Sequence, residues 1–292
     1  MFAARQRVIA ERFEREHAAR LPLGPDGIVV GAHSLRLRAS ATHAVLLVHG
    51  YNDTPQSVAP LARALYDAGW TVVAPLLPGH GRSLPVMAIE SRAENWKACV
   101  SEQYAALKAT HSTVVLCGLS MGGALCTLLA AAEPALPALV LLAPYLGMSR
   151  SMQLQLPLVW IAQRFTPYVR GNSGARSLHD PEARARALGG GVNTARTLTD
   201  LRSIALAAEA ALPAVRAPTL YLQSREDNRI SAAHAERRFA MLGARVREQR
   251  WLTGCGHILT ADYCRDEVAR QVIAWCAQHA GAPDGPGETG NR

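Results

Sequence analysis

The sharpest chemical signal in the sequence is a serine flanked by glycines in Gly118-Leu119-Ser120-Met121-Gly122. An apolar run typical of a strand ends directly before it, and a helical pattern begins directly after it. At a tight strand-to-helix turn a serine hydroxyl stands clear of the backbone, and small neighbours are required because the turn is crowded. We therefore predict that Ser120 is the nucleophile of a hydrolytic reaction.

A serine hydroxyl is a weak nucleophile until a base takes its proton and an acid orients that base. In the architecture that carries this turn, the acid and then the histidine follow the serine along the chain. Asp227 and His257 both come shortly after apolar runs that predict strands. Glu226 is an alternative acid, but Ile230 stands three residues after Asp227 and can anchor its turn. We predict Asp227 as the acid and His257 as the base.

Acyl transfer also needs N–H groups that stabilise the negative oxygen of the tetrahedral intermediate. We predict that the backbone N–H groups of Met121 and Tyr51 supply them. Tyr51 follows His49-Gly50 at the end of an apolar strand, where the glycine allows a sharp turn. His49 is expected to hold this loop rather than to act as a base, and the Tyr51 ring is expected to line the substrate pocket.

These residues must be positioned by the alternation of apolar runs and helical patterns along the chain. Strands are predicted over 44–48, 70–74, 113–117, 138–142, 218–222 and 246–252, and helices over 58–68, 92–109, 121–132, 232–242 and 266–280. Continuous apolar runs of this kind are typical of strands covered on both faces of a parallel sheet. The alternation predicts an α/β fold with right-handed crossovers. We also predict Ser57 as the N-cap of the first of these helices and an antiparallel edge hairpin over 28–37.

One connection, residues 147–212, is too long for a simple crossover. It contains an apolar run over 154–161, three consecutive glycines at 189–191 and a helical pattern over 198–212. We predict a helical cap inserted over the C-terminal edge of the sheet. The expected division is a helical extension at 1–25, a core at 26–146 and 213–280, the cap at 147–212 and a disordered tail at 281–292.

Composition excludes several other functions for these 292 residues. Their net charge is +8, but the arginines are scattered among acidic residues without a basic and aromatic stripe, so no nucleic-acid partner is expected. The histidines lack ligand spacing, and no Gly-x-Gly-x-x-Gly element follows a strand, so neither a metal nor a dinucleotide cofactor is expected.

The sequence also predicts the cellular location of the protein and its contacts with membranes or other subunits. It has no run of roughly 20 apolar residues that would span a membrane and no secretory signal, so we expect a cytoplasmic location with reduced thiols and with Cys255 as a small packed residue. Residues 1–20 could form an amphipathic helix through Phe2, Val8, Ile9 and Phe13. Such a helix would dock on its own chain, mediate dimerisation, or make weak peripheral contact with an anionic membrane. The chain is accordingly expected to be a monomer or a homodimer.

Taken together, these motifs resemble the α/β-hydrolase fold serine hydrolases of the bacterial carboxylesterase and monoacylglycerol lipase (lysophospholipase-like) group. The matching segments span residues 44–276 and include His49-Gly50-Tyr51, Thr54-Pro55-Gln56-Ser57, Leu77-Pro78-Gly79-His80-Gly81-Arg82-Ser83, Gly118-Leu119-Ser120-Met121-Gly122-Gly123, Ala217-Pro218-Thr219 before Asp227, and Gly254-Cys255-Gly256-His257-Ile258-Leu259-Thr260. The resemblance implies a mostly parallel central sheet flanked by helices, with an inserted helical cap. It also implies the roles given above for Ser120, Asp227, His257, Tyr51 and Met121. The longer N-terminal segment and the divergent cap depart from the group.

The resemblance and the apolar run at 154–161 predict a small-molecule ester substrate, either a short- to medium-chain acyl ester or a monoacylglycerol. Substrate contacts are expected from Tyr51, Leu156, Trp160 and Ile258. A thioesterase, lactonase, amidase or carbon–carbon hydrolase could use the same three residues. A catalytically silent binding protein on this fold is the alternative from a different class.

Overall fold

The computed structural model describes residues 2–148, 150–171 and 177–283, apart from the side chains of residues 2, 3, 150–153, 155 and 156. Residues 284–292 of the predicted tail lie outside the described residues. The helices are α1 (Phe2–Arg20), α2 (Ala59–Asp67), α3 (Leu84–Glu90), α4 (Ala93–Lys108), α5 (Met121–Ala132), α6 (Arg150–Ala162), α7 (Pro181–Arg186), α8 (Ala195–Ala211), α9 (Ala232–Ala240) and α10 (Arg265–Ala280). The strands are β1 (Leu35–Leu37), β2 (His43–Val48), β3 (Thr71–Ala74), β4 (Thr113–Leu119), β5 (Leu139–Leu142), β6 (Val169–Arg170), β7 (Val192–Asn193), β8 (Thr219–Ser224) and β9 (Arg247–Leu252).

The central sheet has the strand order β1-β3-β2-β4-β5-β8-β9. Strand β1 is antiparallel to β3, and every other neighbouring pair is parallel. The register pairs Val48 with Gly118 and Ser224 with Leu252, so the carboxyl ends of these strands meet at one edge of the sheet. The predicted α/β fold with a mostly parallel sheet is confirmed.

Apolar side chains cover both faces of the sheet, which explains the continuous apolar runs. Along β2, Leu46 contributes to the layer formed with α4, α5 and α8, and Leu47 contributes to the layer formed with α2 and α10. Both leucines are completely buried. Burying one such side chain contributes about 1.5–3 kcal/mol, so packing against both helical layers stabilises the strand.

Two local predictions are wrong. Ser57 does not cap α2, because a 3-10 turn at Pro55–Val58 precedes the helix and the Ser57 hydroxyl donates to the Thr54 carbonyl at 3.1 Å. The edge hairpin does not span 28–37, because Val29 bridges back to Leu23 and its neighbours bond to residues 22–24 instead. From that segment, β1 joins the sheet on its own.

Residues 147–212, here called the insertion, connect β5 to β8. They contain α8, which covers most of the helical pattern predicted over 198–212, α6, which includes the apolar run over 154–161, and α7. They also contain an antiparallel pair formed by β6 and β7, which sequence periodicity could not reveal because each strand has two residues. The division of the chain into core and cap remains a prediction.

Helix α1 lies against both α3 and the insertion. Phe13 packs with a cluster that includes Met87 of α3 and Tyr168 of the insertion. The Arg20 guanidinium donates to the carbonyls of Gly189 and Gly190 at 2.5 and 2.6 Å. Within the residues that the structure describes, none of the helices has the length and apolarity needed to cross a membrane.

Candidate active site

Ser120 occupies the turn between β4 and α5 with φ 54° and ψ −116°. Such a backbone conformation costs a non-glycine residue about 1–3 kcal/mol, so the surroundings must enforce it. The Ser120 N–H donates to the Leu142 carbonyl at 2.9 Å, and the Ser120 carbonyl accepts from the Tyr145 N–H at 2.9 Å. A Cβ atom at Gly122 would lie 2.1 Å from the Val48 carbonyl oxygen, so the crowding inferred from the flanking glycines is present.

The sheet brings the three predicted side chains together at its carboxyl edge. Ser120 directly follows β4, Asp227 follows β8 and His257 follows β9. The His257 Nε2 atom lies 2.9 Å from Ser120 Oγ, and its Nδ1 atom lies 2.7 Å from Asp227 Oδ2. This chain of hydrogen bonds is the geometry that lets an imidazole accept a proton from a serine hydroxyl.

Asp227, rather than Glu226, is the acid adjacent to the imidazole. Its side chain is completely buried, and its Oδ1 atom accepts from the N–H groups of Arg229 and Ile230 at 2.7 and 2.9 Å. Burial raises the pKa of Asp227, but the charge and hydrogen bond of His257 and these two N–H groups outweigh burial and lower the pKa below its ordinary value. Glu226 instead accepts from the Gly254 N–H at 2.8 Å.

The loop after β2 lies directly against the serine. A side-chain carbon at Gly50 would be 3.3 Å from Ser120 Cβ, so the backbone of Gly50 and Tyr51 passes close to Ser120. Met121 is the first residue of α5, where an N–H group has no partner within the helix. The two N–H groups predicted to stabilise an oxyanion are therefore on the two segments that flank Ser120.

His49 braces this loop as a neutral group. Its Nε2 atom accepts from the Leu77 N–H at 3.1 Å, so Nδ1 carries the proton and lies 2.8 Å from the Gly50 carbonyl. Burial, followed by the nearby His80, lowers the pKa of His49 to about 3. Its environment fits the expected supporting role.

The Tyr51 side chain has a contact that sequence reasoning missed. Its hydroxyl lies 2.7 Å from Thr197 Oγ1 and 2.9 Å from Asn193 Oδ1, both in the insertion. The neighbouring Asn52 donates to the Val192 carbonyl at 3.0 Å. Burial raises the pKa of Tyr51 well above its ordinary value. The loop that carries one predicted oxyanion donor is thus fastened to the insertion.

A further carboxyl group, Asp53, also escaped the sequence analysis. Burial raises its pKa to about 6, although the hydrogen bonds from Ser57 and from the Thr54 N–H and the charge of His257 act in the opposite direction. The Thr54 N–H lies 2.8 Å from Asp53 Oδ1. Its position two residues after Tyr51 was the available signal, but only the fold shows that it is desolvated.

The other residues expected to contact substrate are dispersed. Trp160 is 48% exposed on α6, and its indole N–H donates to Thr199 Oγ1 at 3.2 Å. Ile258 is half-buried and packs on the layer that contains α2 and α10. The side chain of Leu156 lies outside the described residues. These substrate contacts remain predictions.

The loop that carries His257 is closed by a disulfide between Cys255 and Cys264, with the Cα atoms 5.8 Å apart. The prediction of reduced thiols is therefore wrong for this pair, and Cys255 is bonded as well as buried. The spacing of nine residues gave no signal, because the pair meets only when the loop folds back toward α10. Among the residues that the structure describes, Cys99, Cys117, Cys126 and Cys276 are free.

In the described segments of the chain, no three His, Cys, Asp or Glu side chains are grouped so that they could hold a metal ion. The side chains that the fold brings together at the site supply hydroxyl, imidazole and carboxylate groups.

Comparison with known proteins identifies the family. The model of the Hydrolase_4 family, described as serine aminopeptidase S33, matches residues 39–263. The chain belongs to this family. This Hydrolase_4 protein is 29% identical over 242 residues to the thermostable monoacylglycerol lipase of Bacillus sp. (strain H-257). The alignment covers 81% of this chain and 91% of the relative. It is 26% identical over 230 residues to a carboxylesterase of Bacillus subtilis (strain 168). That alignment covers 78% of this chain and 90% of the relative.

Among solved structures, this Hydrolase_4 protein resembles one from work on LipS and LipT, two metagenome-derived lipolytic enzymes. The TM-score is 0.78 at 26% identity, with 86% of this chain and 100% of that chain covered. The resemblance to the carboxylesterase and monoacylglycerol lipase group is confirmed, and the α/β-hydrolase fold with it. Ester hydrolysis is the activity that the family and these relatives support.

Proposed function

We propose that this protein hydrolyses carboxylic esters of small molecules through an acyl-enzyme on Ser120. The observation that carries the proposal is the hydrogen-bond chain from Ser120 Oγ through His257 to Asp227, with separations of 2.9 and 2.7 Å. The relatives named as a monoacylglycerol lipase and a carboxylesterase support the same reaction.

In the first half of the proposed reaction, Ser120 Oγ attacks the ester carbonyl carbon while His257 Nε2 takes the hydroxyl proton. Asp227 accepts a hydrogen bond from Nδ1–H and stabilises the imidazolium that forms. The carbonyl π electrons move to oxygen, and the N–H groups of Tyr51 and Met121 stabilise the resulting oxyanion. When the tetrahedral intermediate collapses, His257 gives its proton to the departing alkoxide oxygen and the alcohol leaves.

In the second half, water attacks the acyl-enzyme by the same route. His257 takes one proton from the water, and the hydroxide oxygen bonds to the carbonyl carbon. Collapse of the second intermediate breaks the bond to Ser120 Oγ, and His257 returns the proton to the serine. The products are the free acid and the regenerated hydroxyl.

The proposed substrates are short- to medium-chain acyl esters or monoacylglycerols. The relative named as a monoacylglycerol lipase favours this class. Amide cleavage is the second candidate, because the family is described as a serine aminopeptidase. Thioesters and lactones are further acyl substrates that the same three side chains could serve.

A series of p-nitrophenyl esters from acetate to laurate tests the proposal, with p-nitroanilides of the same acids alongside. We expect turnover of the esters that depends on Ser120, with a maximum at short or medium chains, and slower turnover of the anilides. The Ser120→Ala variant is the control for background hydrolysis. Absence of Ser120-dependent turnover at any chain length would contradict ester hydrolysis, and faster anilide turnover would favour amide cleavage.

The cellular location, the oligomeric state and the membrane contact of the protein are also proposals. From the sequence we proposed a cytoplasmic location, but the Cys255–Cys264 disulfide favours an oxidising compartment instead. The chain is proposed to be a monomer or a homodimer, with weak peripheral membrane contact through residues 1–20. Light scattering tests the oligomeric state, and liposome flotation with and without residues 2–20 tests the membrane contact.

A further inference from the structure

Asp262 is a buried carboxylate near the site that the proposed mechanism does not use. It lies five residues after His257, and its exposed fraction is zero. In the part of the chain that the structure describes, no arginine, lysine or histidine forms an ion pair with it. Burying a carboxylate without a counter-charge is costly unless hydrogen bonds satisfy its oxygens.

Four backbone N–H groups satisfy this carboxylate. Oδ2 accepts from Gly256 at 2.7 Å and from His179 at 2.8 Å, and Oδ1 accepts from Asp180 and Tyr263 at 2.9 Å. Burial raises the pKa of Asp262, but these hydrogen bonds, with that of Gly256 the strongest, outweigh burial and lower the pKa below its ordinary value. Asp262 is therefore ionised at neutral pH and acts as a charged acceptor at the centre of four donors.

The donors come from two separate segments. Gly256 directly precedes His257, whereas His179 and Asp180 lie in the insertion at the start of α7. On the other side of His257, the Ile258 N–H donates to the Ser177 carbonyl at 3.0 Å. The residues before and after His257 are thus both tied to residues 177–180, here called the α7 entry segment.

The two segments approach as closely as their backbones allow. A Cβ atom at Gly256 would lie 2.6 Å from the Ser177 carbonyl oxygen. The disulfide joins Cys255 and Cys264, so it links the two ends of the His257 loop. Asp262 fixes the interior of that loop at the residue next to the imidazole and connects it to the insertion.

We propose that Asp262 is a positioning residue for His257. Its carboxylate holds the Gly256 N–H and the α7 entry segment together, and this keeps His257 Nε2 within hydrogen-bond distance of Ser120 Oγ. The inference rests on the proposed function, because it concerns the same imidazole. Asp262 takes no part in bond making or proton transfer.

The Asp262→Asn variant tests the proposal with little change in shape. An amide nitrogen replaces one acceptor oxygen, so two of the four N–H groups lose their acceptor. Because a misplacement of about 1 Å costs about 100-fold, we expect kcat for p-nitrophenyl butyrate to fall about 10- to 100-fold with KM changed less than about threefold. The rate of inactivation by a fluorophosphonate should fall by the same factor as kcat.

Glu182→Gln is the matched control. Glu182 lies on α7 outside the α7 entry segment, and its exposed carboxylate pairs with Arg186 at 3.6 Å. We expect its kcat to stay within about twofold of the wild type, because replacing an exposed charge has little effect on the folded structure. Equal losses of kcat in both variants would overturn the proposal, as would a folded Asp262→Asn protein with wild-type kcat.

A second variant covers the case in which Asp262→Asn does not fold. Gly256→Ala places a methyl group against the Ser177 carbonyl and separates the same two segments, so kcat should fall in the same way with KM preserved. A folded Gly256→Ala protein with unchanged kcat would then overturn the proposal.

An inactive wild-type protein would count against the proposed function rather than against this inference. In that case the proton NMR signal of His257 Nδ1–H tests the positioning role. The signal is assigned by its loss in His257→Ala. We expect it to shift or broaden in Asp262→Asn and to remain in Glu182→Gln. An unchanged signal in Asp262→Asn would overturn the positioning role.

Discussion

The two sides of the candidate active site are held in place in different ways. On the nucleophile side, Ser120 is fixed by its own strand and helix, by its N–H, which donates to the Leu142 carbonyl, and by its carbonyl, which accepts from the Tyr145 N–H. On the base side, His257 sits in a loop fixed by a disulfide, by Asp262 and by Ser177 of the insertion. The proposed nucleophile therefore stands at a turn built mainly by consecutive residues, whereas the proposed base stands on a loop that a buried carboxylate, a disulfide and the insertion hold in place.

The supporting groups also differ in charge. Near the nucleophile, burial lowers the pKa of His49 to about 3 and that of His80 to about 4, so both rings are neutral at neutral pH. Near the base, the pKa values of Asp227 and Asp262 lie below the ordinary value despite burial, so both groups are ionised. As the pH falls, the stability contributed by the two neutral histidines should therefore be lost before the stability contributed by the two carboxylates.

The largest expected effect distinguishes the two adjacent acids on the base side. Asp227→Asn keeps the shape but removes the charge that holds the imidazole in the correct tautomer, so kcat should fall about 10³- to 10⁴-fold. Glu226→Gln is the matched control and should stay within about threefold, because its amide oxygen can still accept from Gly254. Kinetics with p-nitrophenyl butyrate measure both, and a larger loss in Glu226→Gln would reverse the assignment.

A smaller effect concerns the covalent link of the same loop. Cys264→Ser removes a disulfide that closes a short loop, so we expect the free energy of unfolding to fall by about 2–3 kcal/mol. Asp262 still holds Gly256 in this variant, so the loss of kcat should be smaller than in Asp262→Asn. Urea unfolding and steady-state kinetics test this, with Cys99→Ser as the control for a free cysteine. A greater loss of kcat than in Asp262→Asn would make the disulfide the main support of His257.

The smallest effect is a pH dependence of stability on the nucleophile side. The folded pKa of His80, about 4, lies below the unfolded value of 6.5. The contribution of the neutral His80 ring to the free energy of unfolding is therefore complete above pH 6.5 and is lost as the pH falls from 6.5 toward 4. At about 1.4 kcal/mol per pH unit, the loss between pH 7 and pH 5 is about 1–2 kcal/mol.

Urea unfolding of the wild type and His80→Asn at the two pH values isolates this contribution. The variant should lose about 1–2 kcal/mol less than the wild type between pH 7 and pH 5. Asp53, with a folded pKa raised to about 6, acts in the opposite direction between about pH 4 and pH 6, but it is present in both proteins and cancels. His111→Asn is the control, and equal pH dependence in His80→Asn and the wild type would contradict the neutral buried ring.

The same contrast separates what the sequence could predict from what it could not. The β4–α5 turn could be predicted because an apolar run, small residues and a helical pattern are consecutive in the chain. Asp227 and His257 could be predicted from their positions after strands, since parallel strands end at one edge. Their distances to each other follow from the sheet order, which brings β8 and β9 next to each other.

The supports of the base could not be predicted, because they form only when loops fold back on one another. Asp262 is 83 residues from one of its donors, His179, and no spacing rule links such a pair. The Cys255–Cys264 disulfide and the bond from Tyr51 to Thr197 depend in the same way on how loops fold back. The short strands β6 and β7 and the exposed position of Trp160 depend on the packing of the insertion.

Mapping the site of phosphonylation tests the central claim most directly. The protein is treated with a fluorophosphonate, digested, and analysed by mass spectrometry for the modified peptide, with His257→Ala treated in parallel. We expect one adduct, on Ser120, in the wild type and a strongly reduced yield in the variant, because the imidazole activates the hydroxyl 2.9 Å away. An adduct on another residue, or equal labelling of Ser120 with and without His257, would contradict this activation.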